Sequence, residues 1–144
     1  MRMFLAILLA VISGGAYAQT DASVRFQAVD LYVDTTNSPL AAYQLEFSGG
    51  NGIQIVGIEG GEHPAFAAPP FYDPRAMQHE RAILAAFSTR PAADLPRGET
   101  RVATIHLQIT GVASPAYQLK LQTAAGPDGH RIAAGARLAE RKSK

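Results

Sequence analysis

TRVATIHLQIT, residues 100–110, decides the fold class. Ala103, Ile105, Leu107 and Ile109 alternate there with Val102, Thr104, His106 and Gln108. The period is two rather than 3.6. Successive side chains of an extended chain point to opposite faces, so the stretch reads as a strand with one buried and one wet face. An α-helix would scatter the same apolar residues around its circumference.

The pattern repeats outward in both directions. In AYQLKLQT (116–123), Tyr117, Leu119 and Leu121 alternate with Gln118, Lys120 and Gln122; in LAAYQLEFS (40–48), Tyr43, Leu45 and Phe47 alternate with Gln44 and Glu46. SVRFQAVDLYVD (23–34) and IQIVGIEG (53–60) are two further strands, and HRIAAGARL (130–138) suits a closing one. AILAAFS (82–88) is a mostly apolar run of the kind that fills a central strand. Turn residues separate these segments at TTNSP (35–39), GGNG (49–52), 91–98 and GPDG (126–129). Asn51-Gly52 suits a type I′ hairpin, and GPDG is an ordinary turn, since a lone Asp128 lacks the several carboxylates of a calcium loop. About seven short strands so punctuated predict an all-β antiparallel sandwich in one domain.

The first 18 residues have the anatomy of a secretory signal peptide. Arg2 precedes the apolar run FLAILLAVI, and Ala16-Tyr17-Ala18 forms a small-x-small cleavage site. The run is shorter than the roughly 20 residues that span a bilayer. Cleavage after Ala18 predicts a secreted or periplasmic protein with no transmembrane segment after processing. Residues 19–139 then form the domain, and 140–144 a basic tail expected to be disordered. The chain contains no cysteine, so neither a disulfide scaffold nor thiolate chemistry is available. Removing Arg2 with the leader leaves 12 basic against 12 acidic residues, with Arg141, Lys142 and Lys144 at the extreme end. A body this close to neutral provides no groove for nucleic acid.

GGEHPAFAAPPFYDPRAMQHE, residues 60–80, is the one long stretch without periodicity, and such segments often carry function. After Pro74 a short helix near residues 74–81 is expected, with Asp73 as N-cap and Pro74 at its first position. Arg75 and His79 would share one of its faces. A structural role for this segment has Phe66, Phe71 and Tyr72 plugging one end of the sandwich, with Arg81 paired to a carboxylate. A binding role has Phe71, Tyr72 and Tyr32 forming an aromatic platform, with Arg75 and His79 beside it as candidate ligand-binding residues. Catalytic readings fare worse. His79-Glu80 begins a zinc-protease motif, but the required second histidine is replaced by Ile83. His63, His79, His106 and His130 are scattered, and Asp73, Glu80 and Glu62 would have to pair across loops to act as glycosidase carboxylates. No metal, cofactor or catalytic residue is therefore expected.

Particular words of the sequence resemble the cohesin family. Leu40-Ala41-Ala42-Tyr43-Gln44-Leu45 is similar to that family's L-A-A-Y-Q stretch, and Ile55–Gly60 to the strand ending at glycine that follows it. Residues 82–88 resemble the strand after the family's irregular segment, and Gly98–Leu107 its G-x-x-x-L-A-T-L strand. The resemblance spans about residues 24–122. It implies a jelly-roll β-sandwich of a bacterial secreted protein, related in shape to some carbohydrate-binding modules. It also implies a binding rather than catalytic role, since cohesins bind dockerin domains through one sheet face. The expectation is a non-enzymatic module for protein–protein interaction with an envelope or periplasmic protein. The alternative is glycan binding on the aromatic residues near 60–80.

Overall fold

A computed structural model of the chain describes residues 22–111 and 114–142. The signal peptide expected at 1–18 lies outside the described residues. The described residues form seven strands: β1 (Val24–Asp34), β2 (Ala42–Ser48), β3 (Ile53–Gly60), β4 (Arg81–Phe87), β5 (Glu99–Thr110), β6 (Gln118–Ala125) and β7 (Gly135–Glu140). They form two antiparallel sheets, one in the order β3-β5-β1-β7 and the other β4-β2-β6. Consecutive strands always lie in different sheets, as in a jelly roll, and every connection crosses the sandwich. GGNG therefore joins β2 to β3 across the sandwich and is not a hairpin. Gly50 and Gly52 both take positive φ there, 81° and 77°, while Asn51 does not.

The alternating residues face one another across the core. Leu31, Val33, Ile55, Ile105 and Leu107 of the larger sheet and Leu45, Phe47 and Leu84 of the smaller are completely buried. Tyr43, also buried, donates its hydroxyl to the Val102 carbonyl at 3.2 Å and meets Phe66 edge-on, ring centroids 5.4 Å apart. Burial, which disfavours the phenolate, pushes the Tyr43 hydroxyl well above the usual tyrosine range.

Three bulges break the period of two. The register between β1 and β5 places Leu31 opposite Ala103 and Tyr32 opposite Arg101, leaving Val102 as an extra residue. Thr100 and Val102 point inward before the bulge, and Ala103, Ile105, Leu107 and Ile109 after it. Val102 is thus buried rather than on the polar side with Thr104. Val56 is the extra residue of β3 and Gln122 that of β6.

Arg141, expected in a disordered basic tail, is bonded instead. Glu140 ends β7, and Arg141 continues in register instead of fraying. Its backbone N–H donates to the Ala28 carbonyl, its carbonyl accepts from Gln27 Nε2, and its guanidinium holds Asp30. Pairing with β1 continues through Arg141.

Candidate functional site

The irregular segment 61–80 is bound to the sandwich at both its ends. Gly60 and Gly61 turn so tightly against the loop and β5 that a Cβ would collide with the Ala67 carbonyl at Gly60 and with the Arg101 carbonyl at Gly61. His63 caps a 3₁₀ turn, Pro64–Phe66, by accepting from the Ala65 N–H, and this drives Phe66 into the core beside Tyr43. Phe71 then pairs with Ala85, exchanging two backbone hydrogen bonds of 2.8 and 3.0 Å along the free edge of β4. At the other end, the Gln78 N–H donates to the Ile55 carbonyl and the Ile55 N–H donates to His79, covering the edge of β3. The segment straps one side of the sandwich, joining the outer strands of both sheets.

These tertiary bonds explain why the helix near 74–81 shrinks to one 3₁₀ turn. Asp73 does cap it, accepting from the Arg75 N–H at 2.9 Å, and Pro74 stands at its first position. Continuing the helix would require the backbone of residues 78 and 79, which is bonded to β3 instead. Met77 is extended (ψ 135°) and Gln78 takes a left-handed φ of 65°. Arg75 and His79 consequently do not share a helix face.

The structure separates some expected site residues and joins others. Tyr72 is half-buried against the core, whereas Phe71 is 69% exposed; of the three aromatics expected to plug the sandwich, only Phe66 and Tyr72 pack inward. Tyr32 lies in the other sheet, under the Arg137 guanidinium at 4.1 Å, and does not join Phe71 and Tyr72 in a platform. Phe87, unremarked in the sequence, takes that place: its ring stacks on Phe71 with centroids 6.2 Å apart and planes 13° apart. Ile83, Ala85 and Phe87 share the outward face of β4, and the apolar run of which they are part gives no polar alternation to mark that face. AILAAFS is the edge of the three-stranded sheet and not a central strand.

The outer face of the three-stranded sheet follows from this geometry. Ile83 and Phe87 are exposed on β4, with Phe71 beside them. Glu46 at the centre of β2 accepts from Arg81 Nε at 2.8 Å and from Gln122 Nε2 at 2.7 Å. The Arg81 hydrogen bond, with help from Gln122 and the Lys120 charge, holds the Glu46 carboxyl below the usual range. Where β4 begins, Asp73, Arg75, His79 and Arg81 surround a concavity of about 390 Å³ floored by Ala76 and Ile83. Hydrogen bonds from the Arg75 guanidinium, and then from its backbone N–H, keep Asp73 below the usual carboxylate range.

The other histidines and carboxylates are engaged separately. His106 Nε2 lies 3.2 Å from Glu59, His130 Nδ1 lies 3.0 Å from Asp128, and Glu62 accepts from the Arg101 N–H. Among the described residues no three His, Asp or Glu side chains are placed to hold a metal ion. Also among the described residues, no helix is long and apolar enough to cross a membrane.

No family model matches the chain, and no curated protein matches it by sequence. Its structure is similar to that of a non-cellulosomal cohesin from the hyperthermophilic archaeon Archaeoglobus fulgidus. The TM-score is 0.55, over 81% of this chain and 80% of that one, at 10% sequence identity. The chain thus carries a cohesin-like β-sandwich.

Proposed function

We propose that this chain is an exported, non-enzymatic module that binds a partner protein through the outer face of the β4-β2-β6 sheet. One observation carries the reading. Ile83, Phe87 and Phe71 stand exposed in a row beside the Arg81–Glu46 pair. Aromatic and aliphatic anchors next to an arginine are the composition of protein-binding hot spots. The cohesin-like fold supports a protein partner, since cohesins bind through a sheet face, and the leader-like residues 1–18 support export to the envelope or periplasm. The test is affinity capture from native envelope extract with the immobilised domain, in parallel with an Ile83→Asp/Phe87→Asp variant and an opposite-face control, Gln108→Asp. A stoichiometric partner held by the parent and the control but lost by the double variant supports the reading; a partner indifferent to the double variant contradicts it.

A second reading has one specific observation behind it. The near-parallel, exposed rings of Phe71 and Phe87 offer a flat apolar surface on which the C–H face of a sugar would stack. Binding on a glycan array that disappears with Phe71→Ala would favour this reading. Glycan binding unchanged by that substitution would remove it.

A further inference from the structure

We propose that the concavity at the start of β4 receives a carboxylate-bearing, Asp- or Glu-containing segment of the protein partner. This rests on the protein-binding reading above and names the chemistry that one part of the partner presents.

The inventory of charges around the concavity carries the inference. Asp73 is the one acidic residue in its wall, and both of its oxygens are already occupied. Arg75 Nε lies 3.2 Å from Oδ1 and 3.1 Å from Oδ2, and Arg75 Nη2 lies 2.8 Å from Oδ2. Arg75 Nη1 is left over. Arg81 commits only Nε, to Glu46 on the neighbouring strand. Among the described residues, both of its terminal nitrogens and the His79 ring make no side-chain hydrogen bond. Glu46, which pairs with Arg81 Nε, and Glu80 do not line the cavity. The wall therefore offers an excess of donors, two of them on one guanidinium fork, over an apolar floor of Ala76 and Ile83. A planar carboxylate accepts two parallel N–H bonds from such a fork, and the methylenes that carry it suit the floor.

The backbone that carries His79 and Arg81 is held in place before anything binds. The His79 carbonyl accepts from the Ile55 N–H at 2.8 Å. Gln78 holds the left-handed conformation that turns the chain there, anchored by its own N–H to the Ile55 carbonyl at 2.7 Å. A non-glycine residue keeps such a conformation only where its surroundings over-determine it, and such positions cluster at binding sites. Arg81 is fixed by β4 and by Glu46. Preorganised donors lose little freedom on binding. Arg81 and Ile83 belong to both the concavity and the proposed interaction face, so one partner would cover both.

The test is titration of the ¹⁵N-labelled chain without its leader by the blocked peptide acetyl-Ala-Glu-Leu-Glu-Ala-amide, up to about 10 mM to reach weak affinities. The counterpart peptide with Gln at both Glu positions is the control. Saturating amide shifts confined to residues 73–83 are expected, with affinity at least about fivefold weaker for the Gln peptide and about tenfold weaker in Arg81→Gln. Lys120→Gln, on the same sheet but outside the cavity, should leave the titration unchanged. Arg75→Gln, which leaves the Glu46–Arg81 pair intact, provides an independent second variant. Absent shifts, or equal shifts with the Gln peptide, overturn the proposal. The two ideas fail separately: capture that requires Ile83 and Phe87 but ignores Arg75→Gln and Arg81→Gln sinks the acidic-segment site and leaves the sheet-face reading standing.

Discussion

The two outer faces of this sandwich treat their polar groups differently. On the four-stranded sheet, Asp30 accepts from Thr104 Oγ1 at 2.7 Å and from Arg141 Nη2 at 2.6 Å, and Arg101 Nη1 donates to both Thr104 and the Gly60 carbonyl. Arg137 covers Tyr32 while bonding Glu99 at 2.7 Å, and His106 sits against Glu59 over the bare backbone of Gly57. Charges there are mostly matched within the molecule; among the described residues Val24, Phe26 and Val56 are that sheet's exposed large apolar side chains, with Phe26 at the end beside Arg141 and Lys142. On the three-stranded sheet the Arg81–Glu46 pair lies among Ile83, Phe87 and Phe71, which stand exposed among the described residues. A face that satisfies itself serves stability, and a face with uncovered anchors and spare donors is the one suited to a partner.

Adjacent residues of β4 provide the sharpest way to break this comparison. Leu84 is fully buried and Ile83 is 41% exposed. Leu84→Ala should cost about 2–5 kcal/mol of unfolding free energy in urea titration, whereas Ile83→Ala should change it by about 0.5 kcal/mol or less. Equal losses would mean that the outer face is also structural. Gly60→Ala comes next, since its Cβ would collide with the Ala67 carbonyl; a loss of about 1–3 kcal/mol is expected, with the thermal midpoint as readout. Survival without loss would show that the strap at 61–80 contributes little. Phe87→Ala should leave the unfolding curve nearly unchanged while weakening the captured partner about tenfold or more.

The smallest expected effect belongs to the closed face. Arg141→Ala should cost about 1 kcal/mol, because Asp30 has a side chain only 13% exposed while Arg141 is 46% exposed and screened by solvent. The pH dependence follows from Asp30. Partial burial raises its pKa, but the hydrogen bonds from Arg141 and Thr104 outweigh this and set it below the ordinary value. A carboxyl whose folded pKa is depressed contributes stability above its unfolded pKa, near 3.9, and that contribution disappears as pH falls through the folded value. Thermal midpoints of the parent and Asp30→Asn should therefore differ at pH 6 and converge as pH falls through the depressed folded pKa, below the ordinary carboxylate range. A gap that persists in acid would assign the difference to packing rather than charge.

The sequence carried the strands better than their neighbours. Alternation in 100–110, 40–48 and 116–123 marked strands and their inner faces, because core contact imposes a period of two wherever one face is buried. The bulges at Val56, Val102 and Gln122 were invisible, since a bulge is fixed by the partner strand and not by the residue that bulges. The GGNG hairpin and the helix after Pro74 were reasonable locally and failed for one cause. Strand alternation between the sheets sends residue 53 across the sandwich, and the edge of β3 captures the backbone of residues 78 and 79. At the candidate site, Arg75 and His79 were legible as a charged cluster beside a long loop. Phe87 was not, because 82–88 is apolar on both faces and nothing local says which face is turned out of the core.

Hydrogen–deuterium exchange on the captured complex tests the central claim most directly. Slowed exchange is predicted in β4, in β2 around Glu46 and in the 71–81 segment, with β1 and β7 unchanged from the free chain. Protection confined to β1, β5 and β7, with β4 exchanging as it does in the free protein, would place the partner on the opposite face and contradict the account.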